Sequence, residues 1–471
     1  MAECGSSHDM SSRFQRQNSV DSNRYQNENF SVEVNTILNC LGYGPDIRRF
    51  RRESYRFRDK VLNRRESKDK VMCVTVGSKL EGLTSFFESD TDCIILHSRV
   101  VCLETGVDPN AIANNISIFK MDTRSCYAGH CKQLLVRIAP GHHPAFSNSI
   151  VVDPSGNRIF SNLKLVTEFQ KAPMPPSAVS YPRAGPSIPV SVGAYHQDTV
   201  HAIPCYCPSI LERWAKRQPR HWPPTEIVQK VVSQGAFLVP TGFKGSEHKD
   251  EEFRICFNTG ENELVSNLND TQVKIYVLLK MVVKEVLKPQ KKEVSSYVVK
   301  DIVLWQAESN PQYLFHERSL LHWLHEGLSE LRAVVSSRQL QYYMIPERNL
   351  MAHCGLDDEQ QQTWVKTITE MMNEGPKLLL RFMKIRKAII SYKQPLQWYS
   401  KMRTELELLQ LKDMIRRELC TDKNLGLDLT DRNMKKIEER QQDILWEIAL
   451  RMYMDGNGVQ DWWDLNERML S

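Results

Sequence analysis

From Val71 to about Ile203, short β-branched and apolar runs are bounded by turn residues: "VMCVTV", "CIILHSRVVCL", "QLLVRIA", "SIVVD" and "DTVHAI". This pattern predicts strands. After "HWPP" (His221 to Pro224) the period becomes helical. "TQVKIYVLLKMVVKEVLKP" places Ile275, Leu278, Leu279, Val282 and Val286 on one face and stops at Pro289. "HERSLLHWLHEGLSELRAVV" repeats the pattern with Leu320, Leu324, Leu328 and Leu331, and a last helix is predicted from Asp431 to Met454. Ahead of the strands, Pro45 and Asp46 open a helix that carries Ile47, Phe50, Phe57 and Val61 on one face. "KAPMPPSAVSYPRAGPSIPV" has six prolines between residues 173 and 189 and reads as a surface loop. The expected fold class is α+β, a mixed lobe followed by a helical lobe.

Composition narrows this picture. A chain of 471 residues exceeds one compact core. With 41% hydrophobic and 25% charged residues it has an ordinary globular composition. No apolar run reaches membrane-spanning length, so no membrane association is expected. Residues 1 to 30 are rich in Ser, Asn, Gln and Arg, lack the apolar segment of a secretory signal, and are expected to be a disordered tail. Twelve cysteines without such a signal read as reduced thiols, hence a cytoplasmic location. The net charge of +5 is mild, so a nucleic-acid partner must be argued from local clusters.

The candidate chemistry begins in "VTVGSKLEGLTSFFESDTDCIIL" (Val74 to Leu96). Strand alternation puts Asp90 and Asp92 on the same face, about 7 Å apart, ahead of an apolar "CIIL" fit for a central strand. Paired carboxylates at the open end of a strand suit hard cations such as Mg²⁺. A short helix opening at Gly77-Ser78 would offer backbone N–H groups and a hydroxyl to a phosphate. Gly-Ser followed by Asp-x-Asp on a strand resembles the polymerase-β-like nucleotidyltransferases. Four more segments resemble cyclic GMP-AMP synthase and male-abnormal-21 (Mab-21) proteins: "EEFRICF", "LLKMVVKEVL", "SSYVVKDIVLWQAESNP" and "YYMIPERNLM". The resemblance covers residues 31 to about 400.

It implies a bilobed polymerase-β-like core at 31–215 with a long basic helix, a helical Mab-21-type lobe at 216–400, and a helical extension at 401–471. It also implies a site. Asp198, in "QDTVHAI", would be the third acid, while Asp153 in "VVDPSGN" reads as a turn. Asp90, Asp92 and Asp198 would hold two Mg²⁺ or Mn²⁺ ions. Gly77, Ser78, Lys280 and Ser296 would contact phosphates, Tyr297 would stack on a base, and Arg254 would hydrogen-bond the acceptor base. Lys280 could equally belong to a solvated stripe with Lys284 and Lys288, and Arg254 could pair with Glu251 or Glu252. The substrates would be ATP, GTP or both, joined into a cyclic dinucleotide.

The zinc insertion of vertebrate cyclic GMP-AMP synthase is missing: "NTGENELVSNLNDTQVKIYV" contains no cysteine. No structural zinc is therefore expected, and His201, Cys205 and Cys207 read as packing residues. The chain resembles the zinc-free cGAS-like receptors of invertebrates. From Arg48 to Lys70, eleven Lys or Arg face four acids, a net of +7. Arg48, Arg51, Arg52, Arg56, Arg58, Arg64 and Arg65 are the expected contacts to an activating double-stranded nucleic acid, RNA favoured over DNA, with dimerisation on that ligand. Two other readings share the fold: a Mab-21-type binding or developmental protein without turnover, and a template-free polymerase making linear oligonucleotides.

Overall fold

The computed structural model describes residues 28–65, 71–174, 178–193, 195–217, 220–287, 294–391, 394–422, 426–456 and 461–470. Its principal helices are α1 (Glu28–Leu38), α2 (Pro45–Arg65), α3 (Gly77–Leu80), α4 (Asp270–Met281), α5 (Ser296–Ser309), α6 (Leu320–Ser337), α7 (Gln394–Cys420), α8 (Arg432–Met454) and α9 (Trp462–Leu470). The strands are β1 (Val71–Val76), β2 (Thr91–His97), β3 (Val100–Leu103), β4 (Ser117–Asp122), β5 (His130–Arg137) and β6 (Ile150–Val152). They continue with β7 (Arg158–Phe160), β8 (Ala178–Ser180), β9 (Ile188–Val192), β10 (Tyr195–Tyr206), β11 (Ala236–Val239) and β12 (Glu252–Cys256).

β10 organises the sheet because its two halves pair differently. Its first half lies parallel to β2 and antiparallel to β9. Its last residues pair with β3 and β11, and the path through β4, β5 and β12 returns to β10, so these pairings form a closed ring. Val76, Ile94, Leu96, Ala202, Phe237, Val239 and Cys256 pack into one core between these strands. This apolar filling on both faces matches the unalternating "CIIL" run. The proline-rich stretch is not all loop. β8 and β9 form a hairpin inside it, and β9 joins the sheet beside β10.

Two compact units emerge, and their boundaries differ from the expected ones. The sheet unit comprises residues 42–208, 235–262 and 391–471. The helical unit takes the described residues up to Leu41, then 209–234 and 263–390. The reason is pairing over long sequence separations. β11 and β12 follow two helices of the other unit, yet they hydrogen-bond to β10 and β5. The helical extension expected at 401–471 belongs to the sheet unit.

In the helical unit, Leu320, Leu324, Leu328 and Leu331 of α6 are all fully buried, as the periodicity predicts. α4 is buried on nearly every side rather than along one face: Val273, Lys274, Tyr276 and Val277 are inside together with Ile275, Leu278 and Leu279. The helix then widens into a π turn over Val282–Leu287. Lys288 and the expected stop at Pro289 lie outside the described residues, as do residues 1–27 of the expected tail; its last three residues, Glu28 to Phe30, instead begin α1. No described helix is long and apolar enough to cross a membrane.

Candidate functional site

Parallel pairing of β2 with β10 sets Asp92 directly opposite Asp198. Register partners on neighbouring strands point to the same face and lie about 5 Å apart. The two strands therefore bring together carboxylates more than a hundred residues apart in the chain. Asp90, exposed and one residue before β2, falls on the same side by alternation. Asp90 and Asp198 line one open pocket of about 280 Å³ with Tyr181, Pro189, Val190, His196 and Gln197. Among the described residues no three Asp, Glu, His or Cys side chains converge into a metal cage. Mg²⁺ needs none, because it is usually held by one or two carboxylates, waters and substrate phosphates. Asp92 and Asp198, paired in register on neighbouring strands, supply carboxylates of that kind.

Antiparallel pairing of β1 with β2 delivers the Gly-Ser turn to the same place. Val76 faces Asp92, and the chain turns at Gly77 with φ of 68°. A Cβ on Gly77 would stand 2.5 Å from Asp92 Oδ2, so glycine is the residue that can sit against this carboxylate. The expected short helix is α3. Its third residue, Lys79, is buried and donates to the carbonyls of Ser85 and Phe86, at 2.6 Å each. Burial lowers the Lys79 pKa to about 7, against the opposing pull of Glu88 and Glu407. Lys79 thus ties the start of the 77–90 loop to its middle. Its position next to Ser78 drew no attention in the sequence, where it reads as one more surface lysine.

The remaining expected contacts fall on both units. Arg254, half-buried on β12, has Nε 3.4 Å from Cys256 Sγ. Glu251 pairs with Lys132 at 3.0 Å, and buried Glu252 accepts from Ser246 Oγ and the Phe243 N–H. Lys280, Ser296 and Tyr297 lie in the helical unit. Lys280 Nζ sits 5.7 Å from the Tyr276 ring, Ser296 is exposed at the start of α5, and Lys300 Nζ lies over the Tyr297 ring at 4.7 Å. Asp153 forms a turn, its carboxylate accepting from the Ser155 and Asn157 N–H groups. Tyr181 and His196 were missed. Tyr181 lies in the proline-rich stretch, where no periodicity marks the β8–β9 hairpin.

At the other end of β2 and β10 the chemistry is sealed. His97 Nε2 and His201 Nδ1 are 3.0 Å apart, and His201 stacks on Phe169. Burial lowers His97 to about 3 and His201 to about 4. Cys205 and Cys207 are buried as well, which fits the packing role read from the sequence.

The basic helix α2 corrects the sequence reading most. Arg51 is 1% exposed; its guanidinium grips Glu407 of α7 through two 2.7 Å bonds and donates to the carbonyls of Gly42 and Gly82. Arg58 pairs with Glu418 at 3.3 Å, and Arg48 donates to the Tyr43 carbonyl at 3.1 Å. Arg48, Arg51 and Arg58 are therefore buried structural groups, unavailable to a duplex. Arg52 is half-buried, and desolvation lowers its pKa to about 10, with Arg48 and Arg56 adding to the effect. Arg56 and Arg64 remain exposed. The Arg65 side chain and residues 66–70 lie outside the described residues. Phe57, expected inside, is 45% exposed, whereas Tyr55 takes the interior place against Leu80, Leu411 and Met414.

Residues 272–370 match the family model of the Mab-21 protein HhH/H2TH-like domain. This span, roughly a fifth of the chain, contains Lys280, Ser296, Tyr297 and the "YYMIPERNLM" segment. The match shows similarity to a Mab-21-type HhH/H2TH-like domain over this span. Gly77, Ser78, Asp90, Asp92 and Asp198 lie outside the matched span, so their role rests on their geometry.

Proposed function

We propose that this protein is a nucleotidyltransferase of the cGAS-like type that joins two nucleoside triphosphates, ATP and/or GTP, into a cyclic dinucleotide. The observation that carries the reading is the register pairing of Asp92 with Asp198, with Gly77 fitted against Asp92 and Asp90 on the same side. Two neighbouring carboxylates at an open strand end are a poor structural investment, since like charges repel unless a cation joins them. Two bound divalent ions would supply Lewis acidity, activating a ribose hydroxyl and balancing charge on pyrophosphate. In each of two steps a ribose hydroxyl oxygen forms a new bond to an α-phosphorus. The P–O bond between that phosphorus and the α–β bridging oxygen breaks, pyrophosphate leaves with its electron pair, and the hydroxyl proton passes to water. Asp92 and Asp198, with Asp90, would hold the ions, and Gly77 lets the phosphate-side turn sit directly against the Asp92 carboxylate. Within the sheet unit, Ser78 would contact a phosphate and Arg254 would bond the acceptor base. Of the expected duplex contacts among the described residues, Arg56, Arg64 and the outer edge of Arg52 stay at the surface.

One observation favours the second reading, a Mab-21 protein without turnover: the three acids do not converge in the absence of ligand. A product assay separates the two. Protein is incubated with labelled nucleoside triphosphates and Mg²⁺ or Mn²⁺, alone or with double-stranded RNA or DNA. A phosphatase-resistant product lost in Asp92→Ala supports the cyclase. Linear oligonucleotides would indicate a polymerase, and the same product from Asp92→Ala would remove this site from the reaction.

A further inference from the structure

Residues 391–471 had no assigned role, yet they pack against the loop that carries the acidic site. The carbonyl of Leu470 in α9 accepts from Ser85 Oγ at 2.6 Å and from the Phe87 N–H at 3.0 Å. The Trp463 ring meets Phe87 edge-on, with centroids 5.6 Å apart. Phe86 and Phe87 pack into the cluster of Met402, Leu406, Ile444, Leu445, Ile448, Leu465 and Leu470. Glu407 of α7 holds Arg51, and Arg51 in turn donates to the Gly82 carbonyl. Within the loop, the Glu88 carboxylate accepts from the Ser85 N–H and from the Tyr43 hydroxyl, and Thr84 and Ser89 hydroxyls meet at 3.1 Å. Every anchor lies between Ser78 and Asp90.

We propose that the α7–α9 module is a positioning element of the metal site, holding the 77–90 loop so that Asp90 and Gly77 stay beside Asp92 without help from another molecule. The inference rests on the reading of Asp90, Asp92 and Asp198 as metal ligands. The loop is braced from within by bonds such as Leu83 N–H to the Ser78 carbonyl and Lys79 to the Ser85 and Phe86 carbonyls. Those bonds tie it only to itself, and an ion site needs its ligands held closely. The module adds anchors from outside at Ser85, Phe86 and Phe87. It also covers the inward side of α2, where Arg51 and Arg58 are taken by Glu407 and Glu418.

The test measures Mn²⁺ affinity by electron paramagnetic resonance in the full chain, well below the melting temperature, with circular dichroism to confirm folding. Leu470→Asp should undock α9 and weaken Mn²⁺ binding about tenfold, the lower end of what loss of outer support costs a metal site. Ser85→Ala should weaken it in the same direction, and Ser85→Thr should restore it. Met434→Ala, which opens the far end of α8, should lower the melting temperature and leave Mn²⁺ affinity unchanged. Unaltered Mn²⁺ affinity in folded Leu470→Asp and Ser85→Ala would overturn the proposal. Failure of the metal-site reading looks different: wild type would bind no Mn²⁺, or Asp92→Ala would bind it equally well, and the inference would fall with that reading.

Discussion

Two regions of the sheet unit advertise themselves by charge, and folding treats them in opposite ways. The acids at the start of β2 and β10 remain at an open pocket, whereas three arginines of α2, Arg48, Arg51 and Arg58, are taken up by the interior. The difference is geometric. A strand end has no further residues to cover it, so Asp90 and Asp92 keep access to water. A helix has a full circumference, and the buried stripe of α2 runs through Arg48, Arg51, Tyr55 and Arg58, at the spacing of an inward face. Acids on α7 meet these cations. A dense charge run therefore marks a partner, but the partner can be another part of the same chain.

Four experiments would sharpen or break this contrast. The largest effect is expected at the open end: Asp92→Ala or Asp198→Ala should lower product formation by about a thousandfold or more, with little change in melting temperature. A large loss of stability instead would place these carboxylates with the structural charges. At the consumed end, Glu407→Ala leaves Arg51 buried and without its carboxylate. It should destabilise the sheet unit by about 3–5 kcal/mol in chemical denaturation. A change below about 1 kcal/mol would show that water replaces the pair.

The far end of β2 and β10 provides an internal control on burial. His97 and His201 are neutral in the fold because burial lowers both pKa values, so the unfolded chain binds more protons below about pH 6.5. Stability is thus fully present above that pH and should decline towards pH 4, on the order of 3 kcal/mol for His201. Flat denaturation midpoints between pH 7 and pH 4.5 would contradict this assignment. The smallest effects belong to the exposed cations. Arg56→Glu with Arg64→Glu should change stability by no more than about 0.5 kcal/mol per site. If a duplex binds α2, the same pair should reduce the salt slope of binding by about one for each phosphate no longer neutralised. An unchanged slope would remove Arg56 and Arg64 from the binding of a duplex.

Much of this architecture was legible in the local pattern. β1, β2, β5, β10, α2, α6 and α8 follow from period and turn chemistry, because the helices close their own backbone bonds and the strands announce themselves by β-branched apolar runs between turn residues. The three acids and the Gly-Ser turn were legible as residue types at a spacing. What the chain by itself could not reveal was register. The pairing of Asp92 with Asp198, the contact of Gly77 with Asp92, and the β8–β9 hairpin beside them all depend on strands meeting across long separations. The same holds for the buried arginines. Local sequence determined that α2 would be basic and helical; only the approach of α7, hundreds of residues later, decided which of its charges face Glu407 and Glu418 and which face water.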